Sequence, residues 1–216
     1  MDGTTKESDE VKSWSESEER WVSILPQEAN EWLRDVSAPW WISGGWAIDL
    51  FLGASTRPHG DLDVCVLRRD EPSIRAHFPA WEFASACRGR LDPLPQGTPC
   101  PPESHSIWGR APSSESWMLE LVLEEADGEE WVYRKDPRIR RPLSRIAFQT
   151  EDGLPIIAPE IQLLYKAGTM RAKDEQDLRK VLPHLDAERR AWLDRALRMV
   201  APDHRWIEAI EAGRAR

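Results

Sequence analysis

The sequence predicts an α/β fold of the α+β kind: a mixed β-sheet flanked by helices, with a C-terminal helical region. Three observations carry this. A short apolar segment, Trp40-Trp41-Ile42, runs through Gly44-Gly45 into a helical stretch and on to Leu62–Leu67, which is apolar at every position but Asp63. A strand apolar on both sides is covered on both sides. A second strand, Trp117–Glu125, meets an Asp127-Gly128 turn and returns as Trp131-Val132-Tyr133, so that part of the sheet is antiparallel. From Pro159 onward the apolar spacing is helical.

Taken in order, residues 1–18 are rich in Ser, Glu, Asp and Lys and read as an acidic, disordered lead-in. Trp21, Ile24 and Leu25 begin an amphipathic pattern that Pro26 interrupts. A short helix, a break and a second helix near Gln27–Asp35 are expected. Trp40–Ile42 is a strand, and Trp46–Leu52 a helix closed by Gly53. Arg57-Pro58-His59-Gly60 is a loop, followed by the Leu62–Leu67 strand. Asp70 can cap a helix through Glu71, Ile74 and Phe78. Residues 88–105, with five prolines, read as a loop. Glu151-Asp152-Gly153 is a turn before a short strand at Leu154–Ile157. Helices follow at about 159–168, 174–183, 187–199 and 203–212. The expected organisation is a lead-in at 1–18, a catalytic domain at 19–158, and a helical region at 159–216 that completes the cleft.

Composition narrows the function. The chain has 216 residues, 40% of them hydrophobic, which is enough to bury a core. Twelve Trp against two Tyr point to a core with indole-lined surfaces. The net charge is -9, unevenly spread: -4 over residues 1–20, -8 over 21–165 and +3 over 166–216. Nucleic acid is disfavoured as a partner, and a cationic partner or a metal ion is favoured. Three cysteines without a CxxC give no disulfide framework and no zinc site. The acidic start is wrong for a signal peptide, and no apolar run approaches the roughly 20 residues of a membrane span. A cytoplasmic protein is expected, monomer or homodimer.

The chemistry concentrates in two places. Residues two apart on a strand share a face, so Asp61 and Asp63 present adjacent carboxylates. Such a pair repels unless a cation lies between, and Mg²⁺, hard and oxygen-seeking, suits it. Asp63, inside an apolar strand, is costly to bury without one. Ser43-Gly44-Gly45 opens a helix, where bare N–H groups and the lack of a Cβ make a phosphate seat. A phosphate seat joined by one helix to a metal-binding strand suits a nucleoside triphosphate. A third carboxylate is expected on a neighbouring strand. Glu120 and Glu124 share parity there, and Glu120, flanked by Leu119 and Leu121, is preferred. It would accept the proton of an attacking hydroxyl or help hold the metal. Asp49 and His59 read as hydrogen-bonding partners. Arg57 is either a loop anchor or a phosphate contact. Trp46 packs its helix on the sheet. Trp108 and Trp131 are core residues or walls of an acceptor cleft.

The segments GGWAIDLFLG and TRPHGDLDVCVLRRD resemble the antibiotic nucleotidyltransferases, the aminoglycoside 2''-O-adenylyltransferase and lincosamide nucleotidyltransferase group of the DNA polymerase β-like superfamily. Ser43, Gly44, Gly45, Asp61 and Asp63 match that pattern, and Glu120 fits its third position by placement. APEIQLLYKAGTMRAKDEQDL resembles the family's helical portion. The resemblance implies a nucleotidyltransferase fold, and transfer of a nucleoside monophosphate, AMP from ATP, to a hydroxyl of a small molecule, with Mg²⁺ and release of pyrophosphate. An aminoglycoside- or lincosamide-like antibiotic is the implied acceptor. It also implies that Lys166 contacts the triphosphate and that Lys173, Asp174 and Asp177 pack beside the site, although a helix cap and i,i+3 pairing explain these three equally. Rival readings are a toxin-type enzyme modifying tRNA or protein, and a nucleotide-binding module without turnover.

Overall fold

The computed structural model describes residues 20–212, so the expected lead-in at 1–18 lies outside the described residues. Seven helices and ten strands are described: α1 Pro26–Leu33, β1 Trp40–Ile42, α2 Gly44–Leu52, β2 Asp63–Leu67, α3 Glu71–Ala76, β3 Glu82–Cys87, β4 Arg90–Pro93, β5 Ser106–Arg110, β6 Leu119–Asp127, β7 Glu130–Val132, β8 Arg140–Pro142, β9 Ala147–Gln149, β10 Pro155–Ile157, α4 Pro159–Ala167, α5 Ala172–Val181, α6 Ala187–Val200 and α7 Trp206–Ala212. The strands form one mixed sheet in the order β4-β3-β5-β6-β2-β1-β10-β9, with β7 and β8 branching from β6.

The centre of the sheet is set by burial. β2 is flanked by β1, antiparallel, and β6, parallel. Val64, Cys65, Val66 and Leu67 are all buried, as a strand covered on both faces requires. The β2–β6 register places Asp63 beside Glu120 and Leu67 beside Glu124. α2 starts directly after β1 and ends at Gly53, whose positive φ lets its N–H reach back to the last carbonyls of the helix. α4 packs on α2, α5 and α6, which brings the helical region against the central strands.

Three expectations are corrected. Residues 20–25 are not a helix: Trp21 bridges to Trp117 and the Val22 N–H donates to the Trp117 carbonyl, 2.9 Å. Pro26 starts α1 instead of breaking a helix, since its missing N–H is one that no first-turn residue uses internally. Residues 88–105 are not all loop: Arg90–Pro93 pairs with Glu82–Cys87 as a hairpin whose turn, Arg88-Gly89, has positive φ at both positions. Asp70 sits at the start of α3 without a side-chain capping bond, because a 3₁₀ turn at Arg68–Asp70 leads into the helix.

The prolines after β4 are organised by a buried ion pair. Arg75 on α3, fully inaccessible, donates to Glu71 Oε2 at 2.6 Å and to the carbonyls of Leu94, Pro95 and Thr98. Glu71 Oε1 accepts the Cys100 N–H at 2.8 Å.

Candidate active site

Gly44 begins the site. Its φ of +66° is in the left-handed region, and a Cβ there would stand 1.8 Å from Asp63 Oδ2. The missing side chain is therefore what lets the β1–α2 turn close over the β2 carboxylate. Gly45 makes room on the other side: a Cβ would fall 2.3 Å from an Arg57 guanidinium nitrogen and 2.5 Å from His59 Nδ1. Gly44→Ala is expected to lower stability by about 2 kcal/mol from backbone conformation alone, with further loss from the clash. A thermal melt checks this, and an unchanged midpoint would contradict it.

The turn is tied to both flanks. Ser43, buried, donates its N–H to the Asp63 carbonyl at 2.8 Å. The Gly44 N–H donates to Gln162 Oε1 on α4 at 2.8 Å. Gln162 was missed in the sequence, where one amide in a helix carries no signal.

Asp61, Asp63 and Glu120 converge, each offering an oxygen within 4.8 Å of the others. Asp61 is exposed just ahead of β2, while Asp63 and Glu120 are half-buried. Burial, then the Asp61 charge, pushes Asp63 up to about 6. Burial, then the Asp63 charge, pushes Glu120 well above the usual carboxylate range. Ser106 Oγ donates to Glu120 Oε1 at 2.6 Å and orients it. Three crowded oxygen donors that repel one another fit a hard divalent cation. Glu124 is not in this group. It is fully buried and accepts from Trp131 Nε1 and Tyr165 Oη, both at 2.7 Å.

The remaining expected residues fall around this centre. Lys166, 5% exposed, lies 2.9 Å from Asp177 and 3.7 Å from Asp174. Arg57 Nε lies 3.7 Å from Asp177, and Arg57 Nη1 lies 3.1 Å from His59 Nδ1. His59 Nε2 lies 2.7 Å from Asp49 Oδ2, and its ring packs on Trp46 with centroids 4.5 Å apart. The loop is thus held under α2 by Asp49, which also accepts from the Thr56 N–H at 2.9 Å. Although burial opposes it, hydrogen bonds from Arg171 and Thr169 hold Asp174 down to about 2. Lys173 lines the cleft. Trp131 is core and fully buried, whereas Trp108, register partner of Glu120 on β5, lines the cleft with Trp21.

The cleft, about 390 Å³, is lined by both charges: the carboxylates Asp61, Asp63 and Glu120, and the cations Arg134, Lys135, Lys166, Arg171 and Lys173. Such a lining can hold a polyanion bridged by cations.

Comparison with known proteins bears on the family and the fold. Residues 27–87 match a family described as aminoglycoside-2''-adenylyltransferase. No curated relative matches the chain by sequence. The fold is similar to that of the lincosamide antibiotic adenylyltransferase LnuA, lincomycin-bound, at 14% identity and TM-score 0.50, covering 79% of this chain and 98% of that one. It is also similar to the solution structure of the antibiotic-resistance factor ANT(2'')-Ia, at 15% identity and TM-score 0.54, covering 88% and 95%. No described helix is long and apolar enough to cross a membrane. The fold is that of the nucleotidyltransferases, and residues 27–87, from α1 through β3, are similar to the aminoglycoside-2''-adenylyltransferase family.

Proposed function

We propose that this chain transfers a nucleoside monophosphate, AMP from ATP, to a hydroxyl of a small cationic acceptor and releases pyrophosphate. The observation that carries the reading is the convergence of Asp61, Asp63 and Glu120 beneath the Gly44 turn. Residues 19–158 form the catalytic domain in this reading, and the helices from 159 close the cleft. A nucleoside triphosphate donor favours the cytoplasm as the site of reaction.

Asp61 and Asp63 would hold Mg²⁺. Bound there, Mg²⁺ would neutralise phosphate charge and favour in-line displacement. Glu120 takes the proton of the acceptor hydroxyl. Burial and the Asp63 charge raise its proton affinity, the direction that a general base needs. Ser106 keeps the receiving carboxylate aimed. Ser43, Gly44 and Gly45 bring the backbone close to the phosphates, although the Gly44 amide is engaged by Gln162. Lys166, held against Asp177, acts with Lys173 on the Asp63 charge and favours its ionised form.

The family matched over residues 27–87 and the lincomycin in LnuA favour an antibiotic as acceptor, and the acidic body favours a cationic one. The test is pyrophosphate release from Mg–ATP across a panel of aminoglycosides and lincosamides, with mass spectrometry of the adduct. Turnover with at least one acceptor is expected, and none across both classes would overturn the acceptor assignment. Mg²⁺ is expected to raise the melting temperature of the wild type and not of Asp61→Asn/Asp63→Asn, since binding to the native state alone stabilises it. An equal rise in both would remove these residues as ligands.

A further inference from the structure

We propose that Arg134 and Lys135, on the connection between β7 and β8, seat the phosphate tail of the nucleotide, the task that the motif reading gives to Lys166. The inference rests on the nucleotidyltransferase reading above and refines one subsite of it.

The cations of the cleft differ in how far they are already neutralised. Lys166 is buried against Asp177 and Asp174. Arg57 shares Asp177, and Arg171 pairs with Asp174 at 3.0 Å. Arg134 and Lys135, like Lys173, have no carboxylate within 4.0 Å among the described residues, and the Arg134 charge reaches only the buried Glu124 behind Tyr165. The Arg134 Nη1 is shielded from solvent and has no hydrogen-bond partner. A buried guanidinium donor without an acceptor costs free energy that a ligand oxygen would recover.

The two cations also converge. The Arg134 guanidinium lies 4.7 Å from the centre of the Tyr165 ring, and Lys135 Nζ lies 5.9 Å from the same centre. Gly168, at the end of α4, leaves room for the lysine: a Cβ there would stand 2.7 Å from Nζ. Tyr165 is fixed by its bond to Glu124, and Glu124 by Trp131, so the ring is a rigid platform. Like charges gathered on one platform repel, and an anion of several charges between them relieves the repulsion. The fork of an arginine suits phosphate oxygens, and a lysine adds a point charge. Both residues line the same cleft as Asp61, Asp63 and Glu120, so the ligand class is the di- or triphosphate portion of a nucleotide.

The test uses the full chain, with Mg–ATP and inorganic tripolyphosphate as titrants in calorimetry. Arg134→Gln/Lys135→Gln is expected to weaken both ligands by at least about tenfold, with a shallower salt dependence, and to leave the acceptor KM within about twofold. Arg134→Lys, which keeps the charge and loses the fork, should retain part of the affinity. A melt of each variant shows that it folds, and should the double variant not fold, Lys135→Met alone is read against tripolyphosphate. Tripolyphosphate and Mg–ATP affinities within about twofold of wild type, or an effect on acceptor KM instead, would overturn the inference while leaving the nucleotidyltransferase reading in place. A wild type that binds no Mg–ATP would overturn both.

Discussion

Asp63→Asn is expected to abolish turnover and yet to raise the melting temperature of the metal-free protein. The two effects have one cause. Without a cation, Asp63 stands in a crowded group with Asp61 and Glu120, and its proton affinity is raised to about 6. A carboxyl whose folded pKa exceeds its unfolded value carries no penalty below the unfolded value, near 3.8. The penalty grows as pH rises from there and is complete above about 6. Glu120 shifts in the same direction and adds to it. The metal-free wild type should therefore gain stability from this site as pH falls from 7 towards 4, and Asn at position 63 should flatten that dependence. Activity moves the other way. The substitution removes an anionic ligand from the proposed metal centre, for which a loss of about 10³-fold or more in kcat is expected. Glu120→Gln separates the roles, with a loss of about 10²–10⁴ in kcat and little change in nucleotide affinity. Differential scanning fluorimetry at several pH values and a pyrophosphate assay check both halves. An Asp63→Asn protein that is less stable than wild type at pH 7 would contradict the repulsion argument.

Arg75→Ala is expected to cost about 3–5 kcal/mol, because breaking one side of a buried pair strands the other charge. Glu71 would be left with only the Cys100 N–H, and the carbonyls of Leu94, Pro95 and Thr98 would lose their donor. For a chain of this size the melting temperature should drop by roughly 6–20 °C. Arg75→Met/Glu71→Leu removes both charges together and should recover part of the loss. Urea denaturation measures it, and a drop under about 1 kcal/mol would mean that the pair is not the anchor of the proline-rich segment.

What the sequence made legible follows from how local each signal is. β1, α2 and β2 are readable because a glycine pair, a left-handed cap and an apolar run sit within one short stretch. The preference for Glu120 follows from strand parity, and the register against Asp63 is the long-range fact that completes it. β3 and β4 escaped because Phe83-Ala84-Ser85-Ala86 and Arg90-Leu91-Asp92-Pro93 lack a run of branched side chains and draw their stability from pairing. Trp21 was misplaced because its partner, Trp117, is distant in the chain. Arg134 and Lys135 gave no signal, since charged residues after a hairpin are ordinarily solvated. Only the return of β7 beside β6 carries them to the cleft.

The bond from the Gly44 amide to Gln162 spans 118 positions. The proposed nucleotide motif is thus synthesised well before the residue that braces it, which joins the nascent chain 118 positions later. A nascent chain lacking α4 would carry the motif without its brace. Assembly of the centre is a late event in biogenesis, governed by closure of a long loop and not by the order in which the motif is read.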